Sequence, residues 1–151
     1  MPSATARLQT YLHESIPLVR HMQIVVDTYD EHGLSLSAPL AANINHKSTA
    51  FGGSLAALAT LSCWGLLWLL LEPQADTHLV VRESHMHYLH PVTDTLVAVC
   101  PQPADTARQR FLDTLRRRGK ARLELEAHIL QQQTVCAKFS GQFVAYRDAA
   151  D

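Results

Sequence analysis

Residues 45–54 read Asn-His-Lys-Ser-Thr-Ala-Phe-Gly-Gly-Ser and hold the residue types best suited to chemistry. A glycine pair at the start of an apolar helix leaves backbone N–H groups unpaired and lets another molecule approach the main chain closely. The helix dipole adds partial positive charge there. Such a place stabilises an oxygen that becomes negative, as a thioester carbonyl oxygen does during reaction. A tight turn that only packs helix against sheet would give the same spacing, so that alternative stays open.

The candidate catalytic groups are the Gly52 and Gly53 amides, with the side-chain N–H of Asn45 as a further donor. Four neighbours in the same stretch are predicted to contact substrate, namely Asn43, His46, Phe51 and Ser54. His46 is equally well explained as a loop residue without a role in binding.

The segment from Asn43 to Leu71 contains no Asp or Glu, which bears on the type of thioester reaction. Hydrolysis needs a group that activates water or attacks directly, and His46 is the only conventional base in this segment. Decarboxylation of a malonyl thioester needs no base, only donors for the developing enolate and a poorly solvated pocket. Glu83 or His85 could still reach the pocket from the following strand. The residues alone leave three hypotheses open: a decarboxylase, a thioesterase and a non-catalytic acyl-carrier-binding module.

A basic run from Arg116 to Arg122 includes Arg118 and Lys120. These two side chains, with Arg82 as a weaker candidate, could meet a phosphopantetheine phosphate or the acidic surface of a carrier protein. A solvated helix C-terminus explains the same run, because cations are favoured there by the dipole. His85 is included among the candidate substrate contacts.

Histidines at 78, 85, 87 and 90 could form a metal-binding site. No acidic or cysteine ligand accompanies them at a spacing typical of such sites, so no metal is predicted. The three cysteines are far apart and form no CxxC pair, which fits a reducing compartment. No signal peptide is apparent, and the expected location is the cytoplasm. A net charge of −1 argues against nucleic-acid binding.

Residues 48–71 carry no charge and are long enough to span a bilayer. Because Gly, Ser and Thr interrupt the run, we interpret it instead as a buried central helix.

The remaining pattern predicts helices at 4–15 and about 105–118, and strands at 21–30, 34–40, 77–88, 95–100, 121–129 and 135–145. Turns are expected at 30–33 and 131–133. The long helix is expected at 51–71, where Glu72-Pro73 ends it. The last helix is expected to be capped by Asp105 or Thr106 at its start and to end at Gly119. Within strand 77–88, Leu79 and Val81 are expected on one face, and Val80, Met86 and Tyr88 on the other.

This element order favours an antiparallel sheet wrapped around one central helix, which is the hotdog fold of the α+β class. All 151 residues are expected to form a single domain. Pairing with a second copy would protect a sheet edge, so a homodimer is expected.

The stretch 45–54, together with Tyr-Leu-His-Pro-Val at 88–92, resembles the hotdog domain at the C-terminus of some bacterial acetyltransferase-like proteins. That thioesterase-like domain also occurs alone, and the resemblance covers about residues 8–146. Members are implicated as malonyl-acyl-carrier-protein decarboxylases, which make acetyl-carrier protein for the start of fatty acid synthesis. Joined to the missing base, the resemblance implies a malonyl-thioester decarboxylase, with a thioesterase as the alternative. The resemblance implies a catalytic asparagine at Asn45, with the Gly52 and Gly53 amides nearby. It implies a carrier-protein or coenzyme A thioester as substrate and no separate cofactor, since the phosphopantetheine arm enters with the substrate. The acetyltransferase-like half is absent here, so no acetyl transfer is implied.

Overall fold

A six-stranded antiparallel sheet wraps around one long helix in the computed structural model, which describes residues 1–72 and 76–148. This arrangement confirms the predicted hotdog fold. The helices are α1 Ala4–Ser15, α2 Pro17–Met22, α3 Gly52–Leu71 and α4 Asp105–Arg118; the strands are β1 Val25–Asp30, β2 Gly33–Ala38, β3 Thr77–Tyr88, β4 Leu96–Pro101, β5 Lys120–Gln131 and β6 Thr134–Arg147.

The strands lie in the order β1-β2-β4-β5-β6-β3. Asp30 pairs with Gly33 across the predicted two-residue turn between β1 and β2. Gly33 has φ 140° there, a conformation that side chains disfavour. β5 and β6 form a second hairpin, in which Gln131 pairs with Thr134.

Helix α3 is the centre of the core and contacts every strand from β2 to β6. It is long and apolar enough to cross a membrane, but eleven of its 20 residues are buried inside the protein. The interpretation as a buried central helix is therefore confirmed. Gly65 lets neighbours approach closely, since a Cβ there would lie 2.9 Å from Leu8 and 3.0 Å from Leu34. The predicted helix stop at Pro73 lies outside the described residues.

Two predicted boundaries are wrong. His21 and Met22 were placed in a strand, but they end α2, which starts at Pro17. Proline suits the first turn of a helix because its missing N–H would be unpaired there anyway. Helix α4 has Ala104 rather than Asp105 or Thr106 at its N-cap, with no side-chain cap, whereas Gly119 ends it at φ 74° as predicted.

A β-bulge in β3 corrects the predicted faces of that strand. Val81 pairs with Phe143 and Glu83 with Gln142, so β3 gains one residue between them. The extra residue reverses the inward and outward alternation beyond it. Met86 therefore packs against the core on the same side as Leu79, not opposite to it.

The two edge strands differ in their protection. At β1, the side-chain Oε1 of Gln9 on α1 accepts a hydrogen bond from the Val26 amide at 2.8 Å. The outer edge of β3 pairs with no other strand in the described part of the chain. The sheet thus has one shielded edge and one open edge of 12 residues.

Candidate active site

The side chain of Asn45 organises the loop before α3. Its Oδ1 accepts hydrogen bonds from the backbone amides of Lys47 at 2.8 Å and Thr49 at 3.1 Å. Its Nδ2 donates to Thr49 Oγ1 at 2.9 Å and lies 3.4 Å from the carbonyl oxygen of Ala50. An oxygen that accepts from two backbone amides fixes which end of the side chain is nitrogen. Both ends are therefore engaged within the loop.

Thr49 lies between Asn45 and the helix start, and sequence reasoning did not select it. Its hydroxyl oxygen accepts from Asn45, which leaves the hydroxyl proton available to a further acceptor. No such acceptor is found among residues 1–72 and 76–148. The four-residue spacing from Asn45 to Thr49 was the available signal, since Asn side chains commonly bond to nearby backbone groups.

Ser48 shows that this loop is held in an unfavourable backbone shape. Its φ is 61°, in the left-handed region that costs a non-glycine residue roughly 1–3 kcal/mol. The two amides that donate to Asn45 Oδ1 belong to Lys47 and Thr49, the residues on either side of Ser48. These hydrogen bonds offset that cost and fix the position of Thr49.

The start of α3 presents free backbone donors. Phe51 is the N-cap residue and gives no side-chain cap. Its amide donates to Asn43, and the amides of Ser54 and Leu55 both donate to its carbonyl oxygen. The Gly52 and Gly53 amides have no protein acceptor within the described residues. Two adjacent backbone N–H groups are therefore left without an acceptor at the start of α3.

Two aromatic rings flank these amides. A Cβ at Gly53 would lie 2.4 Å from Phe51 Cε2, so the Phe51 ring folds directly over Gly53. A Cβ at Gly52 would lie 3.5 Å from the Tyr88 ring, whose hydroxyl donates to the Gly52 carbonyl oxygen at 3.1 Å. Phe51 and Tyr88 are 56% and 54% exposed, and two further exposed apolar side chains lie in the same segments, Ile44 and Leu89. The free amides therefore lie at an apolar surface.

Asn43 is placed differently from its prediction as a substrate contact. It is only 3% exposed, and its Nδ2 donates to the carbonyl oxygens of Met22 at 3.0 Å and Pro39 at 2.9 Å. Its amide therefore braces the loop from inside the protein, and the prediction is corrected to a structural role. His46 is exposed beside the loop, and Ser54 is partly exposed in the first turn of α3.

The segment 88–92, which shares the family resemblance with residues 45–54, is held next to this loop. The Ala50 amide donates to the Val92 carbonyl oxygen at 2.8 Å. The Leu89 and His90 amides both donate to the carbonyl oxygen of Cys136 on β6. Tyr88 is thereby fixed over the helix start, a contribution that the linear sequence did not reveal.

The other predicted contacts lie elsewhere on the protomer. Arg82, Arg118 and Lys120 come together in one surface depression of about 1110 Å³ near the Thr77 end of β3. His85 lines a separate depression of about 440 Å³ with Glu83, Glu124 and Glu126. After the bulge, Glu83 and His85 alternate with Met86, so they occupy the sheet face away from α3. They are not brought to the Asn45 loop.

Neither cysteine nor metal chemistry is evident at this site. Cys63, Cys100 and Cys136 are free thiols and are all buried. Burial raises the pKa of the Cys63 thiol far above its usual range, so it is not an activated nucleophile. Within residues 1–72 and 76–148, no group of three or more His, Cys, Asp or Glu side chains is placed to hold a metal ion.

Comparison of the sequence and the structure with known proteins identifies the family of this chain. Residues 5–147 match the family described as "Putative thioesterase (yiiD_Cterm)". A protein of unknown function from Chlorobaculum tepidum TLS is 34% identical, with a TM-score of 0.89 over 95% of this chain and 94% of that one. A "putative thioesterase" from Shewanella oneidensis is 33% identical, with a TM-score of 0.85 over 97% of this chain and 99% of that one. A Pseudomonas aeruginosa protein of unknown function is 21% identical and shares the fold, with a TM-score of 0.81 over 98% and 99% of the two chains. Since the match runs through the loop, the central helix and every strand, the chain belongs to this thioesterase-like family of hotdog proteins.

Proposed function

We propose that the protein decarboxylates a malonyl thioester to the acetyl thioester, with malonyl-acyl-carrier protein as its substrate in the cytoplasm. One observation carries the proposal. The helix start offers unpaired Gly52 and Gly53 amides at an apolar surface, while no carboxylate lies anywhere from Asn43 to Leu71. A site with N–H donors but no carboxylate base suits a reaction that generates an oxyanion and does not need an activated water.

The chemical step is a loss of carbon dioxide. The bond between the carboxylate carbon and the α-carbon breaks, and its electron pair moves through the α-carbon to the thioester oxygen. The Gly52 and Gly53 amides would donate to that enolate oxygen, assisted by the Thr49 hydroxyl that Asn45 holds in place. A proton from water then completes the methyl group. The apolar side chains of Phe51 and Tyr88 would keep the substrate carboxylate poorly solvated.

The position of Glu83 and His85 supports this proposal over hydrolysis. They were the acidic and basic groups best placed in the sequence to serve as a general base. Both line the depression on the opposite sheet face, where His85 Nε2 lies 3.5 Å from Glu83 Oε1. A general base must come within hydrogen-bonding reach of the proton that it removes, directly or through one water.

The open edge of β3 supports a homodimer as the functional unit. Two copies would pair their β3 edges antiparallel and so satisfy the backbone groups that one copy leaves exposed. Antiparallel pairing places the Tyr88 end of one strand beside the Thr77 end of the other.

Thioester hydrolysis is the second candidate function. The family description and the name of the Shewanella oneidensis protein favour it. In this chain His46, exposed in the loop beside Asn45, is the group that would have to activate water.

The two candidates differ in their products. We expect incubation with malonyl-carrier protein to release carbon dioxide and leave acetyl-carrier protein, because no carboxylate base lies in the loop or on the central helix. Mass spectrometry of the carrier separates the acetyl, malonyl and free-thiol forms. A free thiol without carbon dioxide would establish hydrolysis, and His46→Ala should then abolish it.

A further inference from the structure

The depression at the Thr77 end of β3 has an excess of positive charge. Five cations line it, Arg82, Arg117, Arg118, Lys120 and Arg147, against the two carboxylates of Asp76 and Asp148. The whole chain carries a net charge of −1, so this local excess is not a general property of the surface.

Most of these cations have no acidic partner. Arg82, Arg117, Arg118 and Lys120 form no salt bridge within the described residues, and Arg82 bonds only to the neutral Gln142 side chain at 3.0 Å. Arg147 is already used, because its Nη2 donates to the carbonyl oxygens of Leu115 and Arg116 at the end of α4. Asp148 is paired with His78 at 3.0 Å. Unpaired cations are therefore left facing solvent.

The shape of the depression favours a protein surface over a single phosphate group. Its free cations come from three separate elements, and Arg117, Arg118 and Lys120 are all exposed. The C-terminal end of α4, with its negative dipole pole, also lies there, whereas phosphates are usually bound by helix N-termini. Exposed Val80 and Tyr146 lie among the cations, as in an interface with mixed apolar and charged contacts.

We propose that this depression docks the acidic face of the acyl carrier protein, an inference that rests on the proposed function. Within one protomer Arg82 is six residues from Tyr88 along β3, roughly 20 Å at the usual strand rise. Antiparallel pairing of two β3 edges would place the Thr77 end of one strand beside the Tyr88 end of the other. The depression lies on the sheet face away from α3, since Lys120 and Tyr146 alternate with the core residues Ala121 and Ala145, so it is a docking surface separate from the helix start.

The test uses the apo form of a bacterial acyl carrier protein, which has the acidic face but lacks the phosphopantetheine arm. The Arg118→Glu/Lys120→Glu double variant should bind apo carrier roughly tenfold or more weakly than the unmodified protein at low salt. Arg110→Glu is the matched control, because Arg110 is exposed on the same helix outside the depression. Circular dichroism and thermal melting check that both variants fold.

Binding is measured by fluorescence anisotropy and needs no turnover, so it separates this inference from the proposed function. A protein that binds apo carrier in a charge-dependent way but releases neither carbon dioxide nor thiol would refute the function and keep the docking surface. Equal losses in the double variant and in Arg110→Glu would overturn the docking surface. Binding of coenzyme A and holo carrier, but not of apo carrier, would also overturn it in favour of capture of the arm.

Discussion

Asn45 is the residue that sequence and resemblance both select, and its surroundings change the role expected of it. Its amide does not project freely from the loop but closes it, with Oδ1 on two backbone amides and Nδ2 on the Thr49 hydroxyl. The group left with a free proton at the end of this chain of hydrogen bonds is Thr49. We therefore assign Asn45 to positioning and Thr49 to donation in the proposed reaction.

Substitutions at Thr49 and Asn45 separate these roles. Thr49→Val keeps the shape and removes the donor, so turnover should fall roughly 100-fold with little change in KM. Thr49→Ser should retain most of the turnover. Asn45→Asp keeps the acceptor oxygen for Lys47 and Thr49, so it should melt near the unmodified protein while losing turnover. Asn45→Ala should lose turnover and also about 1–2 kcal/mol of unfolding free energy.

Steady-state kinetics and chemical denaturation of the four variants provide the measurements. Near-normal turnover in Thr49→Val, together with loss in Asn45→Asp, would show that Asn45 itself donates to substrate. The sequence could place Asn45 at the site but not show its bonding. That bonding depends on the left-handed turn at Ser48, which no residue type in the loop signals.

At the scale of elements, the start of α3 uses its two glycines for different purposes. A side chain at Gly52 would make ordinary contact with the Tyr88 ring at 3.5 Å. A side chain at Gly53 would overlap the Phe51 ring at 2.4 Å. Gly53 is therefore required by the packing of Phe51, whereas Gly52 is not required by packing at all.

Alanine substitutions should show this difference. Gly52→Ala gains helix propensity, so its unfolding free energy should stay constant or rise by up to about 1 kcal/mol. Gly53→Ala must displace the Phe51 ring, so it should be less stable than Gly52→Ala. The double variant Gly53→Ala/Phe51→Ala removes the overlap and should recover the difference. Urea denaturation measures all three, and equal stability of the two single variants would contradict the assigned packing.

Whether a segment forms a helix or a strand was easier to predict than which face of a strand each residue occupies. Helix α1 and the turn between β1 and β2 were correctly predicted because local signals, periodic leucines and an Asp-Glu-His-Gly turn, determine them. Pro17 misled the prediction, since the same residue can end one helix and begin the next. The bulge near Arg82 leaves no trace in composition, so Met86 was assigned to the wrong face.

At the scale of the whole molecule, sheet pairing decides which residues meet. Lys120 and His78 both pair with Tyr146, and this register carries the end of α4 to β3. The sequence named Arg82, Arg118 and Lys120 separately, but only the order β5-β6-β3 brings them into one depression. The same order leaves β3 as the open edge.

The open edge predicts a dimer that one substitution should weaken. Val81 and Val25 lie on the two edge strands and are 42% and 43% exposed. Val81 is near the middle of β3, so antiparallel pairing brings it close to its own copy, and Val81→Lys should repel. Val25→Lys lies on the shielded edge and should leave assembly unchanged. Sedimentation velocity distinguishes the species, and a monomeric unmodified protein would contradict the edge-pairing arrangement.

The bulge in β3 determines which residues in the second half of this strand face the core. Because the added residue lies outside the ladder, removing Arg82 would straighten the strand but keep the pairs on either side of it, so Ser84, Met86 and Tyr88 would still face the core. The Tyr88 ring would stay over the helix start, and the loss would be the Arg82 side chain with its hydrogen bond to Gln142. A residue inserted or removed between Glu83 and Tyr88 would instead reverse the faces of the residues beyond it and turn the tyrosine ring away from the helix start.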